Sequence, residues 1–220
     1  MLLAFILRLA YGVFLAWGLP RFGYETNTQQ AGFVYEDPFR REENAWALAK
    51  SDQPLRIAFN NVFETDQYGG MLAVSSFVYR TISPDAYRPA LISILTAGAF
   101  ALSVPFLISA LRRWFNEKTA KTAGWILALY PEGILLGSSQ MREPYLILFF
   151  SMLFWGISHV LARTRLKQAF PVLIFSTLSL LLFSFRVAIP VVGIMLLWAV
   201  SYTHLRAHET VLDLVCRLLL

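Results

Sequence analysis

Asp37, Glu42 and Glu43 stand beside Arg40 and Arg41 in one short run, and Glu132, Arg142 and Glu143 form a second charged island much later in the chain. A carboxylate within hydrogen-bonding distance of a hydroxyl can take its proton as the oxygen attacks, so Asp37, Glu42 and Glu43 are candidate general bases. Guanidiniums stabilise negative charge that develops on a departing phosphate, which makes Arg40, Arg41 and Arg142 candidate anion clamps. Each residue also has a plainer reading. Charge runs are mostly solvated loop faces whose local pairs contribute little. Arg142 and Glu143 can cap a helix end or snorkel. Glu132 lies within an apolar run, where an acid is costly and points to function by default, but it can equally form a structural ion pair with Arg142.

The elements that must position these groups are apolar runs long enough for a bilayer. Leu2 to Leu19 reads as a first span interrupted only by Arg8, which is expected to snorkel to the nearer edge. The run is long for a signal peptide and lacks a small-residue cleavage pattern, so it reads as an uncleaved anchor. Pro89 to Leu111, Thr122 to Leu136 and Pro144 to Leu161 read as the second, third and fourth spans. Phe170 to Phe185 and Val187 onward, hinged around Arg186, read as two more. Between the first and second spans lies a polar segment, residues 20–87. Within it Glu42 to Lys50 is expected to be helical, and Tyr68 to Ile82 to be a short helix at the membrane surface. Arg112, Arg113, Lys118 and Lys121 follow the second span, and Arg163, Arg165 and Lys167 follow the fourth. Basic turns of this kind predict a cytoplasmic side, with the N-terminus inside and the 20–87 loop outside. The reading is an all-α, polytopic membrane protein.

A net charge of +5 would suit nucleic acid, but the cations gather at the ends of apolar runs rather than along one face, so no nucleic-acid partner is expected. The 57% apolar composition is concentrated in runs that need lipid as a partner. Cys216 is the single cysteine, which excludes a disulfide framework. No G-x-G-x-x-G, Walker or H-E-x-x-H pattern is present, so nucleotide binding has no support. The stretch Val200 to Thr210, VSYTHLRAHET, is what translation of a transposase-type sequencing-library adapter yields. Residues 200–220 are therefore expected to be a non-native tail on a membrane fragment spanning 1–199, and His204, His208, Glu209 and Asp213 are not taken as metal ligands. His159, near the end of the fourth span, reads as an interfacial residue.

Four segments carry a family resemblance: EDPFRREENAWALAKS at 36–51, DQYGG at 66–70, SPDAYRP at 83–89 and ALYPEGILLGSSQMREP at 128–144. Over roughly Leu3 to Leu161 the chain resembles the GT-C glycosyltransferases, and within them the bacterial relatives of dolichyl-phosphate-mannose protein mannosyltransferases, family 39. The family's acidic pair ahead of an aromatic and an alanine is matched by Glu42-Glu43, Trp46 and Ala49. Glu stands where that pair usually has Asp, while Asp37 lies slightly earlier, so all three acids remain candidates. The resemblance implies transfer of a sugar from a polyprenyl-phosphate donor to an extracytoplasmic hydroxyl on a lipid, glycan or protein, in the cell membrane. Asp66, Gln67 and Tyr68 would then help shape the sugar or acceptor pocket, with Arg40, Arg41, Glu132, Arg142 and Glu143 around the donor; a bare hinge at Gly69-Gly70 is the alternative. No soluble cofactor is needed, no metal ligand is assigned, and a divalent metal is left open. The rivals are a surface polysaccharide polymerase or ligase, which typically carries its large loop late in the chain, and a transporter or non-catalytic subunit, which calls for broken helices and paired charges within spans.

Overall fold

The computed structural model describes residues 1–60 and 69–218, with side chains to His204. Among the described residues the chain is helical throughout, with no strand. The helices are α1 (Leu2–Phe22), α2 (Asn27–Gln30), α3 (Glu36–Lys50), α4 (Gly70–Ile82), α5 (Ala90–Leu111), α6 (Glu117–Leu129), α7 (Pro131–Gly137), α8 (Glu143–Leu161), α9 (Leu166–Phe183) and α10 (Phe185–Leu218), with a 3-10 turn at Leu55–Phe59. Five of them, α1, α5, α8, α9 and the first part of α10, are long and apolar enough to cross a bilayer. Their outward faces are apolar: Ile6, Val13 and Phe14 on α1, Ile174, Phe175 and Leu178 on α9, and Ile194 and Leu197 on α10 are all exposed. Such surfaces are stable against lipid and unstable against water. α8 is the central helix, packed between α5 and α9 around Ile92, Ala99, Leu148, Phe149, Leu153 and Leu180.

The expected third span is two helices rather than one. Pro131 has no N–H and drives the residue before it out of the helical region. Tyr130 accordingly sits at φ −57°, ψ 117°, and α6 ends at Leu129. The break orphans carbonyls at the end of α6, a serious cost where no water can reach them. Arg8 resolves it. Its Nη2 donates to Leu127 O at 3.3 Å, its Nη1 to Ala128 O at 3.0 Å and to Ala4 O at 2.8 Å, and its Nε to Gly133 O at 3.1 Å. The guanidinium also lies over the Phe100 ring, 3.5 Å from its centroid. Arg8 therefore does not snorkel; it is fully buried. α7 comes close enough for these bonds because Gly137 carries no side chain: a Cβ there would stand 2.6 Å from Arg8 Cδ.

Contacts fix which turns share an end of the bundle. Arg41 Nη1 of α3 donates to Gln140 O in the α7–α8 turn at 2.8 Å. Gly70, at the start of α4, abuts the Leu182 carbonyl near the end of α9. The long loop, the α7–α8 turn and the α9–α10 turn thus meet at one end. At the other, Trp114 Nε1 donates to Ser158 Oγ at 2.9 Å, which joins the α5–α6 turn to the end of α8.

Within the loop, α4 does not rest with one face on the surface. Met71, Leu72, Ser75, Ser76, Val78 and Tyr79 are buried, because α3 covers one side and α5 and α9 the other. Arg80 fastens the two loop helices together, its Nη2 donating to Leu48 O in the last turn of α3 at 2.7 Å and to Ser51 O just beyond it at 2.9 Å. The hinge expected around Arg186 lies two residues earlier, at Ser184, which is extended between α9 and α10.

Arg8→Lys keeps the charge but loses the fork that reaches both sides of the α6–α7 break. The expected cost is about 2–3 kcal/mol, read as a lower thermal midpoint of the purified protein in detergent; an unchanged midpoint would show that the guanidinium supports nothing.

Candidate functional site

α3 begins at Glu36, well before the helix expected from Glu42, because Pro38 fits the first turn and Glu36 and Asp37 suit its positive end. That start fixes which charges face in. Pro38, Arg41, Glu42, Ala45 and Leu48 follow helical spacing and are buried, while Asp37, Arg40 and Glu43 point outward. Arg40 pairs with Glu36 at 3.8 Å and Asp37 at 4.0 Å, exposed contacts that add little.

Glu42 is the buried acid, 1% exposed. Its Oε1 accepts a hydrogen bond from the Tyr79 hydroxyl of α4, and its Oε2 is buried without a hydrogen-bond partner among the described residues. Burial pushes the carboxyl up to about 8. Four residues before Tyr79, and so on the same face of α4, Ser75 accepts from Gln140 Nε2, and the backbone oxygen of that glutamine holds Arg41. The result is a connected polar set, Arg41-Gln140-Ser75 beside Glu42-Tyr79, where the loop meets the bundle. Aromatic rings line its margin: Trp46 meets Tyr79 edge-on at 5.3 Å, and Tyr87 lies 5.6 Å from Trp46. Burial and the nearby Glu42 and Glu43 carboxylates push the Tyr87 phenol upward. An apolar cavity of about 390 Å³ opens beside the set between α1 and the start of α5, lined among others by Phe33, Arg88, Ser138 and Ser139.

The other candidate residues fall in different places. Arg142 Nε lies 3.5 Å from Glu143, and Glu143 Oε2 is buried without a hydrogen-bond partner among the described residues. Glu132 forms no ion pair with Arg142. It is exposed at the α6–α7 break and accepts a bond from the Tyr130 hydroxyl at 2.6 Å, since the proline turns it away from the bundle. Asp66, Gln67 and Tyr68 lie outside the described residues. Among those described, no three His, Cys, Asp or Glu side chains group as a metal site. His159, at the end of α8, is buried, with Thr164 Oγ1 2.8 Å from its Nδ1.

Sequence reading passed over Ser75, Tyr79, Gln140 and Arg88. Ser75 and Tyr79 are neutral residues in an apolar segment; Gln140 and Arg88 lie in ALYPEGILLGSSQMREP and SPDAYRP, where the charge of Arg88 is the available signal. Comparison with family models, with curated proteins and with solved structures finds no match for the chain.

The raised Glu42 pKa links stability to pH. With the folded-state value near 8 and the unfolded value near 4.5, the contribution is fully present below about 4.5 and is lost as pH rises through about 8, a change on the order of 5 kcal/mol. Glu42→Gln should flatten that slope in thermal midpoints measured across this range; the same slope in the variant would show that another group titrates.

Proposed function

We propose that the chain belongs to a membrane glycosyltransferase that moves a sugar from a polyprenyl-phosphate donor to an extracytoplasmic hydroxyl, with Glu42 as general base. The observation that carries this reading is one buried carboxylate, positioned through Oε1 by Tyr79 and unpartnered at Oε2, one residue from an arginine anchored to the bundle. In the proposed step the acceptor O–H proton passes to Glu42 as its oxygen bonds to the anomeric carbon, while the bond from that carbon to the phosphate oxygen breaks. In this reading Arg41, held on Gln140 O, and Arg142, two residues beyond that glutamine, receive the charge that develops on the departing phosphate.

Three further features support the reading. The buried acceptors Glu42 Oε2, Gln140 Oε1 and Glu143 Oε2 suit a ligand rich in hydroxyl donors. The rings of Trp46 and Tyr87 offer an apolar platform for the C–H face of a pyranose. The neighbouring cavity, apolar but edged by Arg88 and Ser138-Ser139, has the character required by a prenyl chain joined to a phosphate. The proposed orientation, in the cell membrane, puts the loop on the extracytoplasmic side and the basic turns inside. A transporter would use the α6–α7 break as a substrate site. Here Arg8 already serves the carbonyls of that break, which weighs against that reading.

The test is transfer from a polyprenyl-phosphate sugar by the protein carrying single substitutions. Glu42→Gln should lower kcat by about a hundredfold or more, whereas Asp37→Asn and Glu43→Gln, which alter water-facing groups, should retain most activity. In the parent protein the rate should climb with pH toward about 8 as Glu42 ionises. Undiminished transfer by the Glu42 variant would remove it as the base.

A further inference from the structure

The opposite end of the bundle carries an arrangement that the proposed transfer does not use. The α8–α9 turn closes α8 with paired backbone bonds, Arg163 N to Val160 O at 3.0 Å and Thr164 N to His159 O at 2.9 Å, the pattern in which a left-handed residue follows the helix. Glycine is favoured there because it has no Cβ to clash. This chain has Arg163, at φ 51°, and two residues on a second left-handed arginine, Arg165, at φ 49°. Arg113 of the neighbouring α5–α6 turn reaches across, its Nη2 3.4 Å from His159 Nδ1, and Thr164, between the two left-handed arginines, brings its Oγ1 to 2.8 Å from the same nitrogen. Among the described residues none of these three arginines has a carboxylate within ion-pair distance. Glu117, the acid of this end, is engaged by Arg112 at 2.6 Å and Lys121 at 3.1 Å.

The surroundings are those of a lipid-water boundary. The indoles of Trp114 and Trp155 tie α5 and the turn after it to the end of α8 through Ser158 Oγ and Ser109 Oγ, and Phe115, Leu166 and Phe170 are exposed beside the arginines. The geometry points to a binding site for the phosphate of an anionic glycerophospholipid, held by Arg113, Arg163 and Arg165, with the acyl chains running down the apolar flank of α9. A soluble anion would satisfy the same guanidiniums, but the exposed apolar rim adds affinity only when the phosphate carries hydrocarbon.

The backbone supplies a clean test, since the two left-handed positions accept residues that remove charge without adding strain: Arg163→Gly and Arg165→Asn. The full chain is placed in nanodiscs of phosphatidylcholine with and without phosphatidylglycerol, and retained lipid is read by native mass spectrometry. The parent should retain phosphatidylglycerol selectively. The double variant should lose that preference roughly thirtyfold, at about one arginine's surface contribution per substitution, with its thermal midpoint in pure phosphatidylcholine unchanged or higher. Arg113→Gln, which alters neither left-handed position, should lose about fivefold on the same scale. Undiminished preference in both variants would overturn the site. Inorganic phosphate that raises the parent's midpoint in phosphatidylcholine as much as phosphatidylglycerol does would overturn the lipid as its occupant.

Discussion

The bundle depends on a cation whose hydrogen bonds all go to backbone. In hydrocarbon a carbonyl without a donor costs several times what it would in water, so a proline-broken helix is stable there only if something reaches the freed oxygens. Arg8 comes from a different helix and bonds on both sides of the break, which ties α1 to α6 and α7 at one point. The position of α7 then fixes the α7–α8 turn, and with it Gln140, the residue on which Arg41 rests. The candidate site is therefore held, through a short chain of contacts, by a guanidinium near the other end of α1.

The same solution recurs where the loop folds on itself. Arg80 donates to the last carbonyls of α3, and Arg41 to a carbonyl in a turn between helices. Planar, multiply donating and always charged, arginine can serve several oxygens that point in different directions; lysine cannot match that geometry. Charge in this protein thus acts largely as hydrogen-bond capacity. The pairs of Arg40 with Glu36 and Asp37 are at the surface and contribute little by comparison.

Five of the six expected spans were legible because continuous apolar runs have few other uses, and the ends of those helices agree with the structure to within a few residues. Pro131 was visible, but a run of apolar letters on both sides of it read as one crossing; the break is a local backbone effect that hydropathy does not register. Arg8 was misread because its partners are main-chain oxygens more than a hundred positions away, and every residue has one. The acids divide instructively. Spacing by three and four from Pro38 to Leu48 separates Arg41 and Glu42 from Asp37 and Glu43 once the helix is known to begin at Glu36; Glu36, Asp37 and Pro38 carry that start signal, and the acidic pair Glu42-Glu43 offers a competing one. Tyr79, Ser75 and Gln140 could not be found beforehand, since a neutral polar residue gains significance only from what folds against it.

Gly70 has a wider consequence. A methyl group at that position would collide with the Leu182 carbonyl, so α4 begins in van der Waals contact with the main chain of α9. Two surfaces that interlock at backbone distance cannot slide independently. A displacement of the loop helices at this end is therefore passed to the end of α9, next to the extended residue Ser184.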